Sequence, residues 1–504
     1  MTMSPITPTR PRLNTSTASS ASQDTQRPGY DRDLVSPGVV HIGFGGFHRA
    51  HQAVYLDDLL AVDDGARAYG ICGVNLLRQD AAMAEMMRAQ DRLFVVAERG
   101  ADGQRCRVVG SVVEYLFAPD ESEKVLARMA DPAVRIVSLT ITEGGYCYDP
   151  ATGSVDLSDD VLQHDIADAR TPRSAFGFLA EALRRRRSAG VPPFTVLSCD
   201  NVHANGDVAR RTLLAFTQAQ DPDLAAHVAE DVAFPNAMVD RITPRTAPAD
   251  LEAVAEATGL HDSWPVVCEP FRQWVVEDHF PQGRPAWERV GVQLVEDVRP
   301  YEQMKMRLVN AGHQTISYLG LLLGHADGAG ASADPTVRRL LGHYLLHEGA
   351  ASMPAPPGAD LRAYSAAVIE RFANPAISDS IERLTMQSST TLPTFVVPVI
   401  RDLVAAGRSF GAATVVVACW ARAWEGIDDS GRPISLTDAR ADDLSARARR
   451  SQADPLALIS GNPMFGELGK CAEFTDRFTR VLRTMHRVGV RAAVEAELAE
   501  LERS

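Results

Sequence analysis

The hydrophobic pattern of the first half of the chain alternates between short apolar runs and longer amphipathic segments. The short runs are rich in β-branched residues, which is typical of buried strands. The longer segments repeat their apolar positions with helical spacing. The predicted strands are 39–43, 69–74, 134–140 and 194–199, and the predicted helices are 47–62, 81–89, 175–189 and 208–219. This order predicts a doubly wound α/β domain, with a parallel sheet and helices on both of its faces.

The pattern changes after Asp297, where helical spacing dominates. The predicted helices of this part are 302–323, 337–346, 361–372, 379–384, 395–405, 412–426 and 474–502. We therefore predict an α/β domain over 37–297 and a mainly α-helical domain over 298–504. The first 36 residues are polar and rich in Ser, Thr, Pro and Arg, so they are predicted to form a disordered leader.

Composition excludes several classes of protein. The chain has 504 residues and a formal net charge of −14, which argues against a general nucleic-acid binder. It has no run of apolar residues long enough to predict a membrane span. Seven cysteines occur without any C-x-x-C pair, so we expect a reducing, cytoplasmic environment with neither a disulfide framework nor a zinc ribbon.

A glycine-rich loop joins the first predicted strand to the first predicted helix. Gly43 and Gly45 occupy the first two glycine positions of the Rossmann-type dinucleotide fingerprint, whereas His48 occupies the third. Such glycines allow a tight turn and a close approach of backbone to a pyrophosphate. The candidate cofactor-binding residues are Gly43, Phe44, Gly45, Gly46, Phe47, His48 and Arg49. An ordinary strand-to-helix turn is the alternative interpretation.

The residue that would contact the cofactor ribose is expected just after the second predicted strand. Asp80 is the nearest carboxylate there, and hydrogen bonds from the ribose hydroxyls to it would favour NAD. Arg78 could instead pair with a 2′-phosphate, which would favour NADP. Both residues could also be exposed residues of a first helical turn. We expect NAD, with NADP not excluded.

Polar residues interrupt the apolar helix predicted over 302–323. At 3.6 residues per turn, Asn310 lies about 140° and His313 about 80° around the axis from Lys305. A desolvated lysine can act as an acid or base, and an asparagine amide can donate to a developing oxyanion. This combination suits hydride transfer between an alcohol and a carbonyl. The alternative is a hydrogen-bonded helix start in which Lys305 extends to water.

A second polar cluster, Ser198-Cys199-Asp200-Asn201, ends a predicted strand at the carboxyl edge of the sheet. Asn201 could be a second oxyanion donor there, or an ordinary turn residue. Two other spacings are attributed to chance. Tyr301-x-x-x-Lys305 occurs too late in the chain for a short-chain dehydrogenase, and His48-x-x-His51 lacks further ligands, so no metal site is predicted.

Several blocks of sequence resemble the polyol-specific long-chain dehydrogenases. They are GFGGFHRAHQ at 43–52, TEGGY at 142–146, SCDN at 198–201, FPNAMVDRITP at 234–244, EPFRQW at 269–274 and K-x4-N-x2-H at 305–313. The resemblance covers about residues 37 to 500. It implies zinc-independent oxidation of D-mannitol to D-fructose with NAD. Because the family has monomeric members, we expect a monomer.

The resemblance also implies roles for individual residues. Lys305 would be the general base, Asn201 and Asn310 would hold the substrate oxygen, and His313 would bind and orient the substrate. Residues that match family positions contacting the polyol chain are Asp240 and Arg383, and those that match positions influencing proton movement are Glu143 and Glu302.

Two departures from the family pattern leave alternatives open. Gln79-Asp80 replaces a usual acidic pair, which weakens the expected exclusion of NADP. Thr391 occupies a position where relatives often have a lysine near the substrate, so arabinitol or sorbitol is an alternative substrate. A related hexuronate reductase acting on fructuronate or tagaturonate is a further alternative. A catalytically inactive nucleotide sensor would have no need for Lys305, Asn201, Asn310 and His313 together.

Overall fold

The structure is a computed structural model that describes residues 10–149, 153–377 and 379–503. The chain divides into two compact units, the first ending at Arg299 and the second beginning at Pro300. The first unit is an α/β domain with a parallel sheet, and the second is mainly helical. The predicted fold class is therefore confirmed. The predicted boundary after Asp297 lies close to the division that the structure has.

Strands and helices alternate along much of the first unit. The strands are β1 Pro37–Ile42, β2 Gly70–Asn75, β3 Phe94–Gly100, β4 Gly103–Val109, β5 Val112–Phe117, β6 Ile136–Leu139, β7 Tyr148–Asp149, β8 Ser154–Val155, β9 Thr195–Ser198, β10 Ala237–Asp240, β11 Val266–Cys268, β12 Gln273–Glu277 and β13 Gln293–Val295. The helices are α1 Gly46–Ala50, α2 Gln52–Val62, α3 Ala81–Ala89, α4 Ala118–Ala130, α5 Asp160–Ala167, α6 Ala175–Ser188, α7 Asn205–Gln220, α8 Pro222–Asp231 and α9 Pro248–Thr258. The single helix predicted over 47–62 is in fact two, because the chain bends at His51 (φ −118°, ψ −88°).

The main sheet of the described first unit has the order β5-β2-β1-β6-β9, and all of its strands are parallel. Successive residues of β1 face opposite sides: Val39 packs in one apolar cluster and Val40 in the other. From β1 the sheet grows first in one direction, through β2 and β5, and then in the other, through β6 and β9. The strand order therefore reverses beside β1. Ligands of doubly wound folds bind at the carboxyl edge next to such a reversal.

Residues 10–36 correct the prediction of a disordered leader. Leu13 is fully buried, and its N–H donates to the carbonyl of His261 at 2.9 Å. Gln26 pairs with the outer side of β4, accepting from the N–H of Val108 at 2.8 Å. The Arg32 guanidinium donates to three backbone carbonyls. Composition alone did not predict this order, because the segment is stabilised by contacts with residues distant in sequence. One of these contacts covers the edge of the sheet at β4.

The second unit is built mainly from helices. They are α10 Arg299–Met304, α11 Ala311–Leu322, α12 Gly328–Ala333, α13 Pro335–His343, α14 Leu361–Phe372, α15 Ile381–Leu384, α16 Ser388–Phe395, α17 Val397–Ala405, α18 Gly411–Ala423, α19 Ala441–Ala448, α20 Ala472–Val488 and α21 Val490–Leu501, with π-helical segments at Lys305–Asn310 and Tyr344–Gly349. The helix predicted over 302–323 is therefore interrupted by a π-helical segment between α10 and α11. In the part of the chain that the structure describes, no helix is long and apolar enough to cross a membrane.

Helix α18 is buried almost all around, which explains its unbroken apolar sequence. The fully buried carboxylate of Glu348 accepts the N–H groups of Ala412 at 2.8 Å and Ala413 at 2.7 Å in its first turn. Burial raises the pKa of Glu348 to about 7, although these two hydrogen bonds act in the opposite direction. The Glu348 carboxyl group thus caps an interior helix and changes its protonation state near neutral pH.

Replacing Glu348 with glutamine is expected to remove a pH dependence of stability. Because the folded-state pKa is raised from 4.5 to about 7, the folded protein retains a proton that the unfolded chain releases in this window. Wild-type stability relative to Glu348→Gln should therefore fall as the pH rises from 4.5 to 7, by up to about 3 kcal/mol. Urea unfolding of both proteins between pH 5 and 8 measures the difference, and a difference that does not change with pH would contradict the assignment.

Candidate functional site

The glycine-rich loop runs from the carboxyl end of β1 into α1. Gly43 has φ +93°, and a Cβ there would lie 2.0 Å from the carbonyl oxygen of Thr140. Gly43 is therefore required by the backbone itself. A Cβ on Gly45 would meet only the carbonyl of Gly43 at 3.8 Å, and one on Gly46 would meet nothing within 4 Å. These two glycines leave open space above the loop, as a closely approaching ligand requires.

A cleft of about 310 Å³ opens over this loop within the first unit. Its lining is Phe44, Gly45, Gly46, Phe47, Arg49, Asn75, Asp80, Met83, Thr243, Pro244, Arg245, Thr246, Trp264 and Val266. Five of the seven predicted loop residues thus line one cavity together with Asp80, whereas Gly43 and His48 do not line it. The Thr243–Thr246 segment was not predicted to belong to this site, since nothing local in those residues indicates that they face the loop.

Asp80 and Arg78 differ in their surroundings. Asp80 lines the cleft, and its carboxylate does not cap the helix that follows. Arg78 is not part of the lining, because its guanidinium donates to Asp120 at 3.1 Å and to the Pro119 carbonyl at 3.2 Å. Of the two alternatives, the structure brings the carboxylate rather than the guanidinium to the cleft.

The side chains of His48 and Arg49 are turned into the protein. The ring of His48 stacks on that of His41, with centroids 3.4 Å apart. His41 in turn bonds Ser138 at 2.8 Å and Thr140 at 2.9 Å, and burial lowers its pKa to about 3. The Arg49 guanidinium donates to the Trp264 carbonyl at 2.5 Å. The imidazole of His48 therefore packs in the interior and does not face the cleft, whereas Arg49 joins the loop to one cleft wall.

Two further candidates follow strands of the same sheet. Asn201 comes after β9 and is exposed, and Glu143 is exposed in the turn that follows β6. Asp200 directly precedes Asn201, and its carboxylate accepts the N–H groups of Ile141 at 3.0 Å and Thr142 at 2.8 Å, just before Glu143. The structure thus ties the segments that carry Asn201 and Glu143 to each other. Sequence reasoning named Asp200 only as a neighbour of Asn201.

Asp240 is the last residue of β10 and is buried. It lies opposite Gln273 of β12 in the antiparallel register. The next residue, Arg241, is held by the carbonyls of Glu269 and Ala50 and by the Glu98 carboxylate. This buried arginine fixes the chain immediately after Asp240.

In the second unit, Lys305 and Asn310 are the first and last residues of a π-helical turn. Here the N–H of Ala311 donates to the carbonyl of Met306, five residues earlier. In a π-turn residues i and i+5 lie near each other on one face, so Asn310 is closer to the direction of Lys305 than the 140° predicted for an α-helix. Both side chains are buried, at 8% and 9% exposure. The sequence singled out Lys305 and Asn310 as candidates but did not predict this alignment of their side chains.

The neighbours of this turn are also ordered. Glu302, in α10, is buried, and the ring of His313 stacks on Phe372 with centroids 4.1 Å apart. The Arg307 guanidinium points elsewhere, to Asp402 and Ser352. The turn therefore presents an amine and an amide together, with a fixed imidazole one turn further along the helix.

Arg383 and Thr391 lie in the helices that follow α14. The Arg383 guanidinium makes two bonds to Asp379, each at 2.8 Å. The Thr391 hydroxyl donates to the side-chain oxygen of Gln314 at 3.2 Å. The Tyr318 hydroxyl donates to the same Gln314 oxygen at 3.0 Å. Gln314 follows His313 directly and was missed by the sequence analysis, because an isolated glutamine in an apolar helix carries no motif.

Within 10–149, 153–377 and 379–503, no group of three His, Cys, Asp or Glu side chains is placed to hold a metal ion.

Comparisons with known proteins agree over nearly the whole chain. The mannitol dehydrogenase Rossmann domain matches residues 37–289, and the mannitol dehydrogenase C-terminal domain matches residues 297–486. The chain is similar to the mannitol 2-dehydrogenase of Aspergillus terreus, with 43% identity over 92% of this chain and 93% of that protein. The corresponding protein of Pyricularia oryzae is 42% identical over 93% and 94%.

Two solved structures share the fold. One is the Pseudomonas fluorescens mannitol 2-dehydrogenase in ternary complex with NAD and D-mannitol, with a TM-score of 0.87 and 39% identity over 97% of this chain and 99% of that one. The other is a D-sorbitol dehydrogenase in substrate-free form, with a TM-score of 0.89 and 35% identity over 96% and 100%.

Proposed function

The chain belongs to the mannitol dehydrogenase family, and from this premise we propose that it oxidises D-mannitol to D-fructose with NAD. The predicted resemblance to polyol-specific dehydrogenases is confirmed by the family match. The individual roles of the site residues are proposals that rest on the surroundings of each side chain.

The observation that carries the proposal is the burial of Lys305. The chain has only three lysines among 51 Lys and Arg residues, and the other two, Lys124 and Lys470, are exposed. A structural cation in this chain is thus almost always arginine, which cannot give up its proton under these conditions. A buried lysine, by contrast, can exchange one. We assign Lys305 as the base that takes the proton of the substrate hydroxyl.

The amides of Asn201 and Asn310 are suited to hold the substrate oxygen as its charge changes. An amide N–H donates more strongly to an alkoxide than to a neutral hydroxyl, so it stabilises the transition state preferentially. The π-turn supports this role for Asn310, because it brings the amide to the side of Lys305. His313, held by its stack on Phe372, orients the substrate. Glu143 and Glu302 would pass the proton onward from Lys305.

The cleft of the first unit suits a dinucleotide. Gly45 and Gly46 leave room for backbone to approach a pyrophosphate, and Asp80 can accept the ribose hydroxyls. When bound, the nicotinamide cofactor accepts a hydride from the alcohol carbon. The carboxylate of Asp80 would repel a 2′-phosphate, and Arg78 is engaged with Asp120. These contacts favour NAD over NADP.

Asp240 and Arg383 are proposed to bind the polyol chain, and the surroundings of Arg383 bear on the substrate class. A hexuronate would require an uncompensated cation for its carboxylate, but Asp379 already neutralises the Arg383 charge through Nε and Nη2. The remaining N–H groups of the guanidinium can donate to a neutral hydroxyl of a polyol. This pairing disfavours the hexuronate alternative. Sorbitol is the second candidate, because Thr391 offers a neutral hydroxyl where relatives often have a lysine, and a sorbitol dehydrogenase shares the fold.

Nicotinamide absorbance at 340 nm tests the proposal with the purified protein. The panel is mannitol, arabinitol, sorbitol, fructose and fructuronate, each with NAD(H) and NADP(H). We expect turnover of mannitol and fructose with NAD(H). Turnover of another polyol only would transfer the assignment to that substrate, and turnover of fructuronate only would overturn it. Binding of NADH without any turnover would favour a sensor.

The cytoplasmic location and the monomeric state remain predictions, and light scattering tests the monomeric state.

A further inference from the structure

We propose that Asp200 is a positioning residue whose carboxylate holds the backbone at Thr142 in a strained conformation and so fixes Glu143 and Asn201 for the reaction. The proposal rests on the proposed function, because it adds a role within the same reaction. Asp200 itself is not assigned a contact with substrate. It acts through the two segments that carry the candidate side chains.

The Asp200 carboxylate collects three donors. It accepts the N–H groups of Ile141 at 3.0 Å and Thr142 at 2.8 Å, and the hydroxyl of Tyr146 at 2.6 Å. The Tyr146 hydroxyl also lies 2.7 Å from that of Ser198, at the end of β9. Asp200 and Tyr146 are both buried. One carboxylate therefore clamps both ends of the short turn that contains Glu143.

The backbone that this carboxylate holds is strained. Thr142 has φ +63° and ψ +167°, a region that glycine almost alone occupies. For a β-branched residue such a conformation persists only if surrounding contacts enforce it. The hydrogen bond from the Thr142 N–H to Asp200 acts at the strained residue itself. Since Glu143 is the next residue, the direction of its side chain depends on this conformation.

The other side of Asp200 leads to Asn201, and the backbone there is also fixed. The carbonyl of Asp200 accepts the side-chain amide of Asn205 at 3.0 Å. The Asn205 side chain bonds both the carbonyl and the N–H of Ala237, at 2.8 and 2.9 Å, in β10. Asp200 thus belongs to a connection that runs from the Glu143 turn past Asn201 to the strand ending in Asp240.

Protonation would weaken this clamp. Burial raises the pKa of Asp200 to about 6, against the lowering effect of its three hydrogen-bond donors, and the nearby charge of Glu143 raises it further. The titratable groups that face Asp200 are Tyr146 and Glu143 on the turn and Cys199 beside it in sequence. A protonated Asp200 carries an O–H group, which would meet the N–H and O–H donors that now bond to the carboxylate. The clamp should therefore loosen below about pH 6.

The first test compares Asp200→Asn with a matched control. Asp165 is also buried and also accepts backbone N–H groups, from Arg173 and Ser174, in the same unit. We expect Asp200→Asn to lower kcat for fructose reduction by about tenfold to a hundredfold, with the Kd for NADH unchanged. Asp165→Asn should lower Tm and leave kcat unchanged. If both variants lower Tm and neither lowers kcat, Asp200 is structural and the proposal is wrong.

Rescue at Thr142 provides a second readout. Glycine adopts the conformation of residue 142 without strain, so Thr142→Gly alone should keep kcat within about threefold of wild type. In the Asp200→Asn background the same change should recover much of the lost kcat, because the turn no longer needs to be forced. Additive losses in the double variant would contradict the proposal.

The pH profile separates Asp200 from Lys305. In fructose reduction Lys305 must begin protonated, so it cannot cause a loss of activity at low pH. We expect wild-type kcat to fall below about pH 6, and Asp200→Asn to lack this fall.

If Asp200→Asn does not fold, Tyr146→Phe replaces it. Loss of that donor should move the acid limb to higher pH, and an unmoved limb would overturn the assignment. Failure of the wild type in the substrate panel would instead overturn the proposed function. Amide exchange at 141–142, faster in the variant, then still tests the clamp.

Discussion

Replacing Lys305 with alanine is expected to lower kcat for mannitol oxidation by about 10²–10⁴-fold, the usual contribution of a positioned base. The buried amine would be lost while the π-turn backbone remains, so the Kd for NADH, measured by fluorescence, should stay near the wild-type value. Lys305→Arg should be nearly as inactive, because a guanidinium keeps the charge but cannot accept a proton from the substrate.

The chain offers matched controls for this prediction. Lys124 and Lys470 are exposed and pair with Glu121 and Glu467 within their own turns. Lys124→Ala and Lys470→Ala should leave kcat unchanged. Added methylamine should restore part of the activity of Lys305→Ala in proportion to its unprotonated form. Retention of full turnover by Lys305→Ala would show that another group accepts the proton, and the mechanism would have to be reassigned.

Replacing Gly43 with alanine is expected to destabilise the protein by more than about 2 kcal/mol. The added Cβ would lie 2.0 Å from the carbonyl oxygen of Thr140, which is backbone of a neighbouring strand end and cannot easily move. The positive φ adds strain for any residue other than glycine. Urea unfolding measures the change, and loss of NADH binding should accompany it because the loop must shift.

Gly45 and Gly46 separate cofactor contact from folding in the same loop. A Cβ on Gly45 meets only an ordinary contact at 3.8 Å, so Gly45→Ala should keep the wild-type stability. It should nonetheless weaken NADH binding about tenfold or more if the pyrophosphate approaches this backbone. Gly46→Ala, at the first position of α1, is the companion variant. Wild-type affinity for NADH in Gly45→Ala would argue that the cofactor does not contact the loop there.

The glycine loop and the polar helix residues could be predicted from sequence because their signals are local. Gly43 and Gly45 are recognisable by their place between an apolar run and a helical segment. Lys305, Asn310 and His313 are recognisable as polar residues in an apolar helix. The position of Asp80 in the cleft also follows from its distance after the second strand. Each of these signals depends on a few neighbouring residues.

Other parts of the site could not be predicted because they depend on distant partners. The side chain of His48 packs against His41, although the fingerprint placed it at the cofactor. The clamp at Asp200 requires hydrogen bonds to residues about sixty positions earlier in the chain. No spacing rule relates such residues, and only folding brings them together.

The sequence by itself determined the α/β-then-helical order and the family, and it supplied the candidate site residues, because apolar periodicity and short motifs are encoded by neighbours in the chain. The tertiary structure alone decided that residues 10–36 are ordered, that Lys305 and Asn310 share a π-turn, and that Asp379 neutralises Arg383. These features arise where backbone and charged groups find partners far away in sequence. Their free energies depend on burial and geometry that exist only in the folded chain.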